Sequence, residues 1–220
     1  MLRSYQSVTT DIVIFTIEQE ELKVLLIKRA KEPFKNKWAL PGGFILENEE
    51  PEKAALRVLK NKAGVSNIYM EQLYTFPGSG RDPRGNVITI TYFALAPTEK
   101  IKIQKSKETQ TPTFYSLKKL PQLAFDHKKI ITYALKRLRS KLEYTNVVYS
   151  LLPQFFTFNQ LQEAYETILD RELDKRNFRK KFILLNLIRS TKKVHKGIRQ
   201  RPAQLYQFIS CRPTELKKFF

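Results

Sequence analysis

Lys175, Arg176, Asn177, Arg179 and Lys180 crowd into one short segment, and the apolar residues among them set what they can do. Phe178, Phe182 and Leu185 recur at i, i+4 and i+7, so a helix here buries them and turns the basic residues and Asn177 outward. Such a face can enter a DNA major groove, where arginine reads guanine, asparagine reads adenine and lysine mostly meets phosphate. The segment KKVHKGIRQR (192–201) then supplies Lys193, Lys196, Arg199 and Arg201 as a basic loop suited to phosphates or the minor groove. Between Arg171 and Arg201 twelve lysines and arginines meet only Glu172 and Asp174, so about half of the formal net charge of +19 sits in a seventh of the chain. That concentration separates a polyanion-binding surface from a helix made basic merely for solubility.

The elements around this segment are those of a winged helix. Thr157 with Gln160 three residues on has the form of a capping box, and Leu161, Ala164, Tyr165 and Ile168 give the helix that follows a buried stripe. Asp174 is a suitable N-cap for the second helix, about Lys175 to Leu187. Leu187-Ile188-Arg189 and Leu205 to Phe208 then read as two strands flanking the basic loop. Helix, turn, helix and β-hairpin is the order of a DNA-reading winged helix.

The first two thirds are of another kind. Thr10–Thr16 and Val24–Ile27 read as a strand pair, and Ala39-Leu40-Pro41-Gly42-Gly43 as a short strand running into a glycine turn. Pro51 opens a helix from about Glu52 to Ala63, with Ala55, Leu56 and Leu59 at helical spacing and Gly64 as its stop. Strands resume at Met70–Phe76 and Val87–Ala96, separated by the loop PGSGRDPRGN (77–86). Lys100–Glu108 is a charged stretch, and a second helix spans about Asp126 to Leu142. This predicts an α/β sandwich over residues 1–144 and an α+β winged helix-turn-helix domain over 145–220. Cys211 is the sole cysteine, so no disulfide framework forms within the chain and a reducing cytoplasm is the expected home. The N-terminus does not read as a signal peptide, and no apolar run reaches the ~20 residues of a membrane span.

Gly43, Glu49, Arg57 and Gly64, with Leu59 and Val65 at aliphatic positions, stand in the register G-x5-E-x7-R-E-U-x-E-E-x-G-U, which resembles the Nudix box. WALPGGF (38–44) and VLLIKR (24–29) also look like this superfamily, and RDPRG (81–85) resembles its members that act on or bind ADP-ribose. In Nudix hydrolases the three glutamates after the arginine lie at i, i+3 and i+4 and hold magnesium, which polarises the pyrophosphate and activates water. Here those positions are Val58, Asn61 and Lys62. The resemblance therefore implies a Nudix domain without its hydrolase activity and without a required cofactor or metal. Glu49 is expected to pair with Arg57 and hold the loop. Gly42 and Gly43 permit close backbone approach to a ligand. Arg29, Arg57, Lys62, Arg81 and Arg84 are expected to supply the charge that magnesium no longer does, with Asp82 and His127 beside them. Asp126-His127, taken alone, is more often a cap and a surface residue than a catalytic dyad.

LPQLAFDHKKIITYALKRLRSKLEY (120–144), FTFNQLQEAYETILDRELDKRNFRKKF (156–182) and RPAQLYQF (201–208) resemble the connecting helix, helix-turn-helix and wing strand of the Nudix-related transcriptional regulators. That resemblance implies a homodimeric repressor of NAD synthesis or salvage genes. It binds a pseudo-palindromic double-stranded DNA operator and is released by ADP-ribose or a related nucleotide. One branch of the family answers instead to a sugar such as arabinose. A residual ADP-ribose pyrophosphatase and a non-specific nucleic-acid binder are the rival readings.

Overall fold

The computed structural model describes residues 6–78, 80–101, 112–195 and 203–216. The described residues fall into two compact units, one formed by most of the chain up to Leu135 and the other by Lys136 onward together with the short Ile17–Glu21 segment.

The first unit is built on β1 (Ser7–Glu18) and β2 (Glu21–Lys28). They are joined across Gln19 and Glu20, both at positive φ (54° and 59°), the backbone shape of a tight hairpin turn. Short β3 (Trp38–Ala39) and β4 (Gly42–Phe44) follow, then α1 (Pro51–Val58), β5 (Tyr69–Phe76), β6 (Val87–Leu95), β7 (Thr113–Ser116) and the start of α2 (His127–Tyr144), whose residues from Lys136 belong to the second unit. The strands form one mixed sheet of order β3-β2-β1-β6-β5, with β4 added on β1 and β7 on β2. β1 runs parallel to β6 through the middle of that sheet. It is covered on both faces, so Ile12, Val13, Ile14 and Phe15 are all fully buried and the strand reads as a continuous apolar run.

The structure departs from the sequence expectation at three points in this unit. The glycines do not make a turn: Gly42 and Gly43 sit in β4, paired antiparallel with Asp11 and Thr10. A Cβ at Gly42 would stand 2.0 Å from Asp11 Oδ1, so glycine is what lets the two strands close at that point. The helix after Pro51 is α-helical only to Val58, and Leu59–Ala63 form a π-helical turn that ends on Gly64 in the left-handed conformation (φ 64°). The buried face of this helix is Ala54, Ala55 and Val58, and Leu56 is 49% exposed. Ala55, Val58, Leu59 and Ala63 pack with Ile12, Ile14, Leu25 and Tyr92 in one core.

The second unit contains β8 (Phe156–Thr157), α3 (Phe158–Leu169), α4 (Lys175–Leu184), β9 (Ile188–His195) and β10 (Ala203–Phe208). Thr157 and Gln160 form the expected capping box, and Asp174 caps α4 by accepting from Asn177 N at 2.8 Å. Leu161, Ala164, Tyr165 and Ile168 are buried as their spacing predicts, and Phe178 and Phe182 face them. α4 ends three residues earlier than expected, because Asn186 takes a left-handed conformation (φ 48°) and turns the chain into β9. The two wing strands have a partner that the sequence reading lacks: β8 pairs with β10, giving the order β8-β10-β9. Val147–Ser150 forms a 3-10 turn.

Candidate functional site

The first unit holds a cavity of about 330 Å³, within the range of small-molecule sites. Its walls come from segments far apart in sequence. β1 supplies Thr9 and Asp11, the end of β2 Arg29, β4 Gly42 and Gly43, and the π-helical turn Lys62. The 81–84 loop supplies Arg81, Asp82 and Arg84, and Phe125 and His127 stand at the start of α2. Eight of the nine residues expected to face a ligand thus come together. Arg57 is not among the lining residues. Its guanidinium holds Glu49 by two hydrogen bonds of 2.6 Å and donates to Phe44 O, so it fastens the loop before α1. The expected Glu49–Arg57 pair is thereby in place, and the hydrogen bond from Arg57, with one from Leu46 N, holds the Glu49 carboxyl at a pKa of about 2.

Asp11 is the buried charge of the cavity wall that sequence reasoning missed. It is 7% exposed in a strand of apolar and β-branched residues, and a carboxylate buried in such a strand needs partners. Thr89 Oγ1 donates to Asp11 Oδ2 at 2.8 Å, and Arg81 Nη2 stands 3.4 Å from the same oxygen. Arg81 also donates twice to Asp126, at 3.2 and 2.8 Å. A lone charge within TDIVIFT was the available signal for Asp11.

His127 is 3% exposed, not a surface residue. Leu40 N–H donates to its Nδ1 at 2.8 Å, which leaves the proton on Nε2, 3.7 Å from Asp11 Oδ1. Burial lowers the His127 pKa and the neighbouring Asp11 and Asp126 only partly oppose this, so the ring is neutral. Asp82 is pushed up by burial, but hydrogen bonds from the Arg84 side chain and backbone outweigh that and hold its pKa below the usual range. The Arg84 guanidinium lies 5.2 Å from the Phe44 ring and 5.8 Å from the Phe125 ring, and that of Arg29 4.8 Å from Phe125. Burial and the nearby Arg84 lower the Arg29 pKa. Lys62 Nζ donates to Gly42 O at 2.6 Å. Among the lining residues five cations (Arg29, Lys31, Lys62, Arg81, Arg84) meet three carboxylates (Asp11, Glu32, Asp82), a net charge of +2. Val58 is buried in the core and Asn61 is exposed.

The second unit presents the basic helix. Lys175, Arg176, Asn177 and Lys180 on α4 are exposed. The helix is positioned by the turn before it, where Glu166 Oε1 accepts from Leu173 N at 2.8 Å and Gln162 Nε2 donates to Leu173 O at 2.9 Å. Arg179 is exposed as well, but its guanidinium donates to Tyr206 Oη on β10 and lies 5.1 Å from the Phe158 ring. Its head is turned along the domain's own surface. Lys193 on β9 is exposed, 4.2 Å from the Phe155 ring. Lys196, Arg199 and Arg201 lie outside the described residues.

Residues 7–134 match the NUDIX domain family, and residues 148–208 match the NrtR DNA-binding winged helix domain. A relative from Acinetobacter baylyi, named ADPR responsive transcriptional repressor NtrR, is 40% identical over 204 residues, 91% of this chain and 81% of the relative. The chain belongs to the NrtR family. NrtR of Shewanella oneidensis, solved in complex with a 27mer DNA, superposes with a TM-score of 0.82 at 36% identity, covering 91% of this chain and 93% of that one. The isolated NUDIX domain of the same protein, solved with ADP ribose, superposes with a TM-score of 0.57 at 39% identity, covering 62% of this chain and 90% of that one. An ADP-ribose pyrophosphatase of Methanocaldococcus jannaschii is 40% identical over 116 residues, 52% of this chain and 67% of the enzyme. NrtR architecture, a Nudix fold followed by a winged helix, is thus what positions both the cavity and the basic helix. Among the described residues no helix is long and apolar enough to cross a membrane.

Proposed function

We propose that this protein is a transcriptional repressor whose DNA binding is released when ADP-ribose fills the cavity of its Nudix domain. The observation that carries the reading is the cavity itself: a net +2 lining with a glycine floor, in a chain that shares the NrtR architecture over nearly its whole length. A dinucleotide-like ligand with a doubly negative pyrophosphate matches that charge, whereas a neutral sugar such as arabinose does not.

The same site is a poor magnesium centre. Magnesium asks for a cluster of oxygen ligands. Val58 lies in the apolar core, Asn61 points to solvent, and Lys62 brings an ammonium to the backbone of Gly42. The residues present do not fit the metal. Lys62, Arg81 and Arg84 carry the charge toward the pyrophosphate, and Gly42 and Gly43 let it approach the backbone. Asp82 orients Arg84, and His127 Nε2–H and Arg29 offer donors to the ribose hydroxyls or the base. Arg57 serves the site only by holding the preceding loop.

Residues 1–144 act as the sensing domain and 145–220 as the DNA-binding domain. Arg176, Asn177 and Lys180 read or grip the major groove, Lys175 and Lys193 meet phosphates, and Arg179 positions α4 against the wing strand. Lys196, Arg199 and Arg201 extend the phosphate contacts from the wing. A homodimer presents two α4 helices to two half-sites one helical turn apart, about 34 Å. α2 is the covalent link, since its start lines the cavity and its residues from Lys136 belong to the second unit. A coupling of ~1–3 kcal/mol between ligand and DNA changes operator affinity about 5- to 100-fold.

The test is DNA retention by the full chain at physiological salt, on duplexes from NAD-metabolism promoters and a random control, with ADP-ribose, NAD or arabinose titrated in. The expected outcome is specific binding that ADP-ribose weakens at least five-fold, with no phosphate release in the presence of magnesium or manganese. Specific binding that ADP-ribose leaves unchanged overturns the switch, and metal-dependent turnover of ADP-ribose overturns the loss of hydrolysis.

A further inference from the structure

The most exposed large apolar side chains among the described residues stand on the basic helix. Leu184 is 73% exposed and Ile183 61%. Two such residues side by side in water are unfavourable, and their place on the helix shows what they can meet. At 100° per residue, Arg176, Lys180, Ile183 and Leu184 occupy an arc of about 100°, opposite the buried Phe178 and Phe182. The apolar pair is therefore the continuation of the cationic face, not a separate patch. α4 has ten residues, roughly 15 Å of helix, against a major groove about 12 Å wide. Laid along the groove by its Arg176–Lys180 face, with a helix diameter of about 10–12 Å that matches this width, α4 keeps its last turn over the base edges as well. The one apolar group a base pair shows in the major groove is the thymine C5-methyl.

We propose that Ile183 and Leu184 are specificity-determining residues that pack on thymine methyl groups, so that each half-site is read by its cations at one end of α4 and by its methyls at the other. Charge complementarity commits the surface to DNA, because the flanking Arg176 and Lys180 favour a polyanion and disfavour an apolar protein groove. The inference rests on the reading of this chain as a DNA-binding repressor.

The experiment selects bound duplexes from a random library with the full-length protein. Each thymine of the selected sequence is then replaced in turn by deoxyuridine, which removes the methyl and nothing else. One or two positions in each half-site are expected to lose affinity about four-fold, the worth of one buried methyl group. Ile183→Ala or Leu184→Ala, both surface changes, are expected to abolish that loss at their own position while Lys180→Ala keeps it. Deoxyuridine within two-fold of thymine everywhere overturns the proposal, as does an equal penalty in wild type and both alanine variants. A changed oligomeric state of the variants with unaltered uracil penalties overturns it too, and assigns the pair to a protein contact. Failure to enrich any sequence is a different result, because it removes the DNA-binding reading on which the proposal rests.

Discussion

Arg81 and Asp126, 45 residues apart, are joined by two hydrogen bonds of 3.2 and 2.8 Å, and the arginine side chain is 6% exposed. This pair ties the glycine-rich loop to the residue that precedes α2, and Arg81 reaches Asp11 from the same position. Removing one member leaves a buried cation with one partner at 3.4 Å. Asp126→Ala is expected to destabilise the protein by about 3 kcal/mol, the lower end for a broken buried pair because Asp11 remains. Urea unfolding measures this, and Asp126→Asn, which keeps one acceptor, is expected to lose less.

Gly42 and Gly43 separate in the same assay. Gly42→Ala places a Cβ 2.0 Å from Asp11 Oδ1 and 2.8 Å from Thr10 O, and Asp11 is held by Thr89 and Arg81 and cannot swing away. A loss of about 1–3 kcal/mol is expected, together with loss of ADP-ribose binding. The nearest atom to a Cβ at Gly43 is Val58 Cγ2 at 3.4 Å, so Gly43→Ala is expected to fold normally. Equal damage from both changes would contradict the arrangement of β4 on β1.

His127 links stability to pH. Its folded pKa lies below the ordinary 6.5, chiefly through burial, so the unfolded chain binds the proton more readily. Its contribution is therefore present above pH 6.5 and is lost as the pH falls below that value. His127→Asn, whose amide oxygen can still accept from Leu40 N–H, does not titrate. The urea midpoint of the wild type is expected to fall more steeply between pH 6.5 and 5 than that of the variant. Parallel profiles would place the proton uptake elsewhere.

Arg57 distinguishes a loop fastener from a ligand contact. In Arg57→Gln the Glu49 carboxyl is expected to move from a pKa of about 2 back toward 4.5, which carboxyl NMR resonances report directly. ADP-ribose affinity is expected to change less than two-fold, because Arg57 is not in the cavity wall. Lys62→Ala is the matched comparison, and there affinity is expected to fall by ten-fold or more with the loss of one charge-assisted contact. The reverse order of effects would return Arg57 to the ligand and remove Lys62 from it.

Much of the molecule follows from local rules. Thr157 with Gln160 and Asp174 before Lys175 fixed two helix starts, because a capping side chain acts within one turn. The 3.6-residue spacing of Phe178 and Phe182 fixed which side of α4 faces in, and the count of lysines and arginines fixed the charge on the other. The register from Gly43 to Gly64 resembles the Nudix box, and it is that resemblance that pointed to the fold of the first domain; the residues at 58, 61 and 62 can be read for their chemistry without coordinates.

Tertiary structure decided what depends on residues distant in sequence. Gly42 belongs to a strand and not a turn because it pairs with Asp11, 31 positions away, and only glycine leaves that carboxylate its space. Arg57 and Arg81 are both arginines on candidate ligand positions, yet a loop carboxylate claims one and the cavity keeps the other. His127 is expected beside the ligand cations, but its burial and its hydrogen bond from Leu40 N–H, with Asp11 close by, exist only in the folded chain. Leu56 and the Ile183–Leu184 pair show the limit from the other side, since apolar character in the sequence does not tell whether an element ever covers it. Capping and periodicity are short-range and are written in neighbouring residues. Burial, pairing of charges and the assembly of a cavity depend on which segments the chain brings together, and only the folded chain settles that.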